Sequence, residues 1–397
     1  MPRQKSAAFT DRELTVGLAA AAITIWIGVA VFVLMRQPIL GGDFMEFYVF
    51  AAIARAGHWT QQYDWTAFHD LQVALVPASD PYVYAPAYPP LVPALYLPIS
   101  PFSFTGAFAV WALGSAAIYL ALIDSVGRRL QRLTRAQAVL AGALFPGFIA
   151  VIVLGQTTIW PLIGFVAAFH AMRSSRPFVA GLCFSVVAIK PHFGVALAIA
   201  LLIAGQWRAI GGAMAGIAIQ ALATVGIAGS AAIEAYVAIT RLALDNPGAL
   251  EPLDTRHTHA LHAVLANLLP PAAATTIWLI AAVTVSVVAG LVWRRRASWP
   301  IRFTALLLAT LLASPHVLVY DSVLLAPAAL WLADHAAVSG RRWVTILAAL
   351  VAVAFVLPAA RIEVLPLTLP LMAILLGYCG VAAMPDGGEG RAAAVVR

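Results

Sequence analysis

LTVGLAAAAITIWIGVAVFVLM, residues 14–35, runs into Arg36-Gln37-Pro38-Ile39-Leu40 and then Gly41-Gly42-Asp43-Phe44-Met45-Glu46. Coiled as a helix, an uncharged apolar run of this length reaches about 30 Å, the hydrocarbon thickness of a bilayer. Arg3, Lys5 and Arg12 precede it and favour a cytoplasmic N-terminus over residues 1–13. The run exceeds a signal h-region, and no A-x-A-like site precedes Arg36, so it is expected to stay in place as a signal-anchor helix. Its far end therefore delivers Gly41-Gly42-Asp43 to water at the outer membrane face.

The rest of the chain repeats this signal. It is 62% hydrophobic and only 10% charged, whereas soluble domains are about a quarter charged. A soluble domain is excluded. Further apolar runs lie near 104–124, 136–154, 157–172, 177–189, 192–205, 209–229, 272–293, 301–313, 317–334, 342–358 and 363–383. The expected fold is all-α, a polytopic helical membrane protein with about twelve transmembrane helices in one domain over 14–383. The tail 384–397 returns to the cytoplasm. Cys183 and Cys379 sit far apart in apolar segments and read as small buried hydrophobes, with no disulfide framework.

Charge sets the topology. Arg128, Arg129, Arg132 and Arg135, then Arg173 and Arg176, Arg208, Arg294 to Arg296, and Arg341 and Arg342 fall in alternate turns, which are expected to be cytoplasmic. The net charge of +7 thus needs no nucleic-acid partner. In this register most of the 17 acids and most of the nine histidines lie on the other side. Two outer loops are long, about 36–103 and 230–271. The first holds an apolar segment 44–56 and an amphipathic stretch 64–76, which also fit interfacial helices. The proline-broken stretch 88–102 reads as a juxtamembrane helix, too short to cross.

Candidate chemistry collects on that outer face. Asp43-Phe44-Met45-Glu46 fits a capping box, with Asp43 as N-cap and Glu46 at N3. Asp43 equally fits a general base at the membrane boundary, able to take a proton from an attacking hydroxyl. Tyr63, Tyr82, Tyr84 and Tyr88, the last before Pro89-Pro90, suit sugar faces or an aromatic belt. Gln156, beside Gly155, offers an amide to a substrate hydroxyl or to a helix end. Lys190-Pro191-His192 breaks an apolar run, and a cation there can hold a phosphate or snorkel to the surface.

Arg256-His257-Thr258-His259-Ala260-Leu261-His262 is the richest histidine cluster, but its spacing does not define a zinc site. Ser314-Pro315-His316 and Tyr320-Asp321 mark a later outer turn, where His316 can donate to a leaving phosphate. Arg361 and Glu363, at the last outer turn, can pair or reach a phosphate. No P-loop and no G-x-G-x-x-G is present, so an activated donor would not be a cytosolic nucleotide.

Taken in order, Gly-Gly-Asp-Phe, Tyr84 to Leu91, Gly155-Gln156, Ala188 to Pro191, and Ser314 to Asp321 resemble glycosyltransferase family 87. That family includes polyprenyl-phosphate-mannose-dependent α-1,2-mannosyltransferases. The resemblance spans about 40–330 and implies a GT-C fold, a polyprenyl-phosphate sugar donor and an extracytoplasmic site. It maps the base onto Asp43 and the family's Lys-Pro onto Lys190-Pro191. Its late Ser-Pro turn with a histidine maps onto Ser314 to His316. The histidine-rich second loop and the single late histidine depart from the family pattern, which bears on sugar and acceptor.

The expected activity is inverting transfer of a sugar, mannose foremost, to a glycolipid or glycan hydroxyl. Asp43 and His316 are the expected catalytic groups. Glu46, Tyr84, Tyr88, Gln156, Lys190, His192, Arg256, His257, His259, Asp321 and Arg361 are the expected substrate contacts. No metal or other cofactor is expected. The setting is a bacterial inner membrane with the site facing the periplasm or exterior. A transporter or lipid flippase is the alternative, although such proteins often show internal repeats and midplane sites, which are not visible here.

Overall fold

The computed structural model describes residues 11–35, 42–84, 88–245, 258–295, 297–355 and 366–384. Every regular element among them is helical. α1 (Asp11–Met35) begins with Asp11 and Glu13, acids that favour a helix N-terminus. Most of its residues are exposed, as expected of a helix that faces lipid. It is tied to the bundle by Trp26, whose indole N–H donates to the Ala143 carbonyl at 3.0 Å and whose ring lies 5.3 Å from Phe148.

The segment after Gly42 is not an interfacial cover. α2 (Phe44–Ala56) is buried along most of its length. Phe44 packs on Phe104, Phe108 and Trp111, and Phe47 stacks on Tyr96 at 5.0 Å. Burying a large aromatic contributes on the order of 2 kcal/mol, so this phenylalanine run anchors α2 centrally. Gly57, at φ 76, ends α2 in the left-handed region, and its N–H bonds Ala54 O. α3 (Trp65–Leu75) is capped by Asp64, which accepts from Ala67 N at 3.1 Å. The proline-rich stretch forms only α4 (Val92–Tyr96) and a 3-10 turn, Leu97–Ile99.

α5 (Phe104–Gly127) is a full-length apolar helix. The run expected to be continuous over 136–154 is instead two helices, α6 (Arg135–Ala143) and α7 (Pro146–Leu154), bent by 49°. Pro146 is the cause. It lacks an N–H and drives Phe145 to an extended ψ of 122°. The arginine turn between α5 and α6 is pinned by buried Asp334, whose carboxylate accepts from the N–H groups of Gln131, Arg132 and Leu133 at 2.7–3.2 Å. Asp124 pairs there with Arg128 and Arg135.

α8 (Ile159–Arg173), α9 (Pro177–Phe184) and α10 (Gly194–Ile203) follow, with 3-10 turns at Ser185–Ile189 and Pro191–Phe193. α9 lies close against α11 (Trp207–Ala228), because Gly181 and Gly212 face backbone. A Cβ on either would meet a carbonyl oxygen at 2.0 Å. α12 (Ser230–Asp245) and α13 (Leu261–Leu268) flank the histidine-rich stretch. α14 (Pro271–Arg294) leads to α15 (Trp299–Ala313), buried almost all round and thus the centre of the bundle. A 3-10 turn, Val319–Leu324, opens α16 (Leu325–Ser339). α17 (Arg342–Ala354) and α18 (Thr368–Ala382) complete the order.

Among the described residues, five helical stretches are long and apolar enough to cross a membrane, and the bent α6–α7 pair makes a sixth. The other six apolar runs form helices of 10–17 residues, shorter than the roughly 20 that span a bilayer upright. By length and composition, five or six of the expected spans are candidates to cross.

Candidate active site

Four helix breaks converge. At the first, Asp43 precedes α2 with φ −74 and ψ −20, and its side chain makes no capping bond. The expected capping box is absent, because an N-cap carboxylate needs an extended backbone to reach back to N3. The carboxylate instead takes a 2.6 Å hydrogen bond from the Gln156 amide. Gln156 belongs to the second break, where Gly155, at φ 78, ends α7. A Cβ on Gly155 would sit 2.3 Å from Phe44 Cβ, so this glycine lets the two breaks touch.

The third break is Lys190-Pro191. Lys190 does not snorkel. Its Nζ lies 2.8 Å from Asp321 Oδ1 and 2.9 Å from Thr158 Oγ1, and 4.6 Å from the centre of the Tyr320 ring. Asp321 is wholly buried and also accepts from Thr158 Oγ1 at 2.8 Å and Leu318 N at 3.0 Å. Lys190 and Asp321, expected as separate substrate contacts, are therefore each other's partners in a closed polar knot. Pairing and the added hydrogen bonds offset part of the desolvation cost, and losing either partner would strand the other charge.

At the fourth break, Ser314 Oγ donates to His316 O at 2.6 Å and accepts from His316 N at 3.3 Å, fixing the turn after α15. The His316 ring lies 6.5 Å from His192. His192 Nε2 is buried with no hydrogen-bond partner among the described residues. The histidine-rich stretch joins at its described end. His259 N donates to Val317 O at 2.8 Å, and its Nδ1 lies 3.2 Å from Thr368 Oγ1. Burial holds the imidazole neutral, pushing its pKa down to about 4.

The tyrosines run along α2. Tyr84 OH donates to the Gly42 carbonyl, beside Asp43. The Tyr88 ring packs edge-on against Phe47 and Phe50, and Tyr63 OH donates to Tyr88 O at 2.9 Å. Burial raises the Tyr84 phenol, and the nearby Asp43 and Glu46 charges raise it further. Tyr88 is raised in the same way, first by burial and then by Glu46. Both remain neutral hydroxyls at ordinary pH. Glu46 is itself buried one turn below Asp43.

Asp43, Glu46, Tyr84, Tyr88, Gln156, Lys190, His192, His259, His316 and Asp321 are thus gathered in one region by contacts between distant segments. Arg256, His257, Arg361 and Glu363 lie outside the described residues. Thr158, which with Tyr320 holds Lys190, and Thr368 were not singled out from sequence. Thr158 carried a weak signal, as a hydroxyl two residues after Gln156 at a helix start.

By class, this is a polytopic helical membrane protein with a polar site built at helix breaks. The model of glycosyltransferase family 87 matches residues 87–319. That is more than half of the chain, which therefore belongs to this family and is a membrane glycosyltransferase. No curated protein and no solved structure matches the chain. The match begins beyond Asp43, Glu46 and Tyr84, which are linked to the matched region by the Asp43–Gln156 bond and the packing of α2.

Proposed function

We propose that this glycosyltransferase moves a sugar, mannose foremost, from a polyprenyl-phosphate carrier to a hydroxyl of a glycolipid or glycan at the extracytoplasmic face of a bacterial inner membrane, with inversion. The fold is of the GT-C type, with the shorter apolar helices completing about twelve spans. Asp43 takes the proton of the acceptor hydroxyl. That oxygen bonds to the anomeric carbon as the carbon–phosphate oxygen bond breaks on the opposite face, and polyprenyl phosphate leaves as an anion. No metal or other cofactor is needed, since protein donors can meet the phosphate charge. We assign that role to His316 and His192, and to Arg256, His257 and Arg361, which lie outside the described residues. Lys190 serves by fixing Asp321 and the turn that carries His316.

The observation that carries this reading is the Gln156 amide on Asp43 Oδ2. A carboxylate that leaves its own helix end for an amide 113 residues away is held in place for a purpose other than capping. Asp43→Asn keeps the shape and cannot take a proton, so transfer from polyprenyl-phosphate-mannose by the detergent-purified protein falls roughly 10²–10⁴-fold. Gln156→Ala loses the orienting bond, and with it the Oε1 acceptor of Thr157 N, and falls roughly tenfold. Near-native turnover by Asp43→Asn sinks the mechanism.

A further inference from the structure

A groove of about 550 Å³ opens at the far end of α2, lined by Gly57, His58, Trp59, Thr60, Gln61 and Asp64, with Ala67 and Ala228 closing it. It lies away from Asp43. α2 is 13 residues long, which separates its two ends by about 20 Å. The lining has a consistent chemistry. Trp59 is half-buried and offers a ring face and an indole donor, while His58 and Thr60 are exposed beside it. Gln61 adds an amide, whose nitrogen donates to Ala67 O at 3.4 Å and whose oxygen is an acceptor, and Asp64 a carboxylate, of which Oδ1 caps α3. No lysine or arginine lines the groove, so nothing there matches a phosphate. An aromatic face bordered by neutral donors and acceptors, with one carboxylate, is what a neutral polyhydroxylated ligand requires.

The groove is also joined to the reacting centre. Tyr63, in the turn that carries Gln61, donates to the Tyr88 carbonyl. The Tyr88 ring packs on Phe47 and Phe50 midway along α2, and Tyr84 bonds Gly42 at its start. All three tyrosines are partly exposed. These contacts form a chain from the turn beside the groove to the start of α2, next to Asp43.

We infer that the groove is a saccharide subsite, which grips an acceptor glycan several residues away from the hydroxyl that reacts. The inference rests on Asp43 as the base, which sets the other end of that chain of contacts. Binding at such a distance holds an extended acceptor in register and favours it over a short one. Ala228 ends the membrane-length helix α11, so the gripped sugars lie level with that helix end.

The test uses the full-length protein in detergent and linear manno-, gluco- and arabino-oligosaccharides of one to six units, with equilibrium dialysis as readout. At least one series binds the native protein, and its longer members bind more tightly than its monosaccharide. Trp59→Ala weakens the longest member about tenfold or more, leaves the monosaccharide unchanged, and raises the acceptor KM while sparing kcat. Gln61→Ala acts in the same direction and guards against a folding artefact at Trp59, as does an unchanged melting midpoint. Asp43→Asn retains the length-dependent binding while transfer is lost, so failure of the base and failure of the subsite are read separately. Absence of binding in all three series, binding independent of length, or native affinity in both groove variants overturns the inference.

Discussion

Replacing Lys190 with methionine separates a structural ammonium from one that grips substrate. The Lys190 ammonium and Asp321 carboxylate meet at 2.8 Å, and the Asp321 side chain has no solvent contact. Removing the lysine leaves Asp321 with the Thr158 hydroxyl and the Leu318 N–H but no countercharge. Breaking one side of a buried ion pair costs about 3–5 kcal/mol, because a charge is stranded in a low dielectric. Lys190→Met is therefore expected to melt well below the native protein in detergent, and Asp321→Leu alone, which strands the ammonium, to do the same. The double variant Lys190→Met/Asp321→Leu strands neither charge and is expected to recover most of the loss, leaving a coupling energy of several kcal/mol in the cycle. Transfer activity in the double variant then stays within about tenfold of native, the size of one lost positioning interaction. Additive losses of stability would refute the pairing argument. A stable double variant with no activity would return Lys190 to the phosphate.

Three further perturbations test particular joints of the structure. Gly155→Ala forces a Cβ onto Phe44 at a left-handed φ; it is expected to destabilise by about 1–3 kcal/mol and to reduce kcat by shifting Gln156 off Asp43, and native melting and turnover would contradict this. Asp334→Ala leaves the N–H groups of Gln131, Arg132 and Leu133 without their acceptor and is expected to cost roughly 3 kcal/mol, with faster proteolysis at the 128–134 turn and acceptor KM unchanged. His259 is neutral when folded, with a pKa near 4, and titrates near 6.5 when unfolded. The unfolded chain therefore binds the extra proton first, and the contribution of His259, complete above about pH 6.5, is lost as pH falls towards 4. A flatter melting-versus-pH curve for His259→Gln is the expected result.

The helical membrane class follows from run length alone, since an uncharged stretch such as 14–35 has few stable states other than a helix in lipid. Helix ends were less legible. The 136–154 run reads as one span until Pro146 is weighed as a breaker rather than a tolerated residue. The burial of α2 was hidden because 44–56 is apolar but short, and its partners Phe104, Phe108 and Trp111 arrive from a later helix. Asp43 shows the same limit at the site. Spacing in the first turn matches a capping box, yet the Asp43 backbone is helical rather than extended, and no local spacing records that torsion.

What joins several of the residues singled out from sequence is that they flank a break in an apolar run: Gly42-Asp43, Gly155-Gln156, Lys190-Pro191 and Ser314-Pro315-His316. A break frees backbone N–H and C=O groups, which lipid cannot satisfy. Breaks are therefore driven to one another or to a polar cavity, and their side chains travel with them. That requirement brings Gln156 to Asp43 and Lys190 to Asp321 across more than a hundred residues of chain. It also explains why the pairing was not legible. The four breaks could be read as a set bound for one place, but which amide meets which carboxylate depends on the order in which α5, α7 and α15 pack, and no local spacing records that.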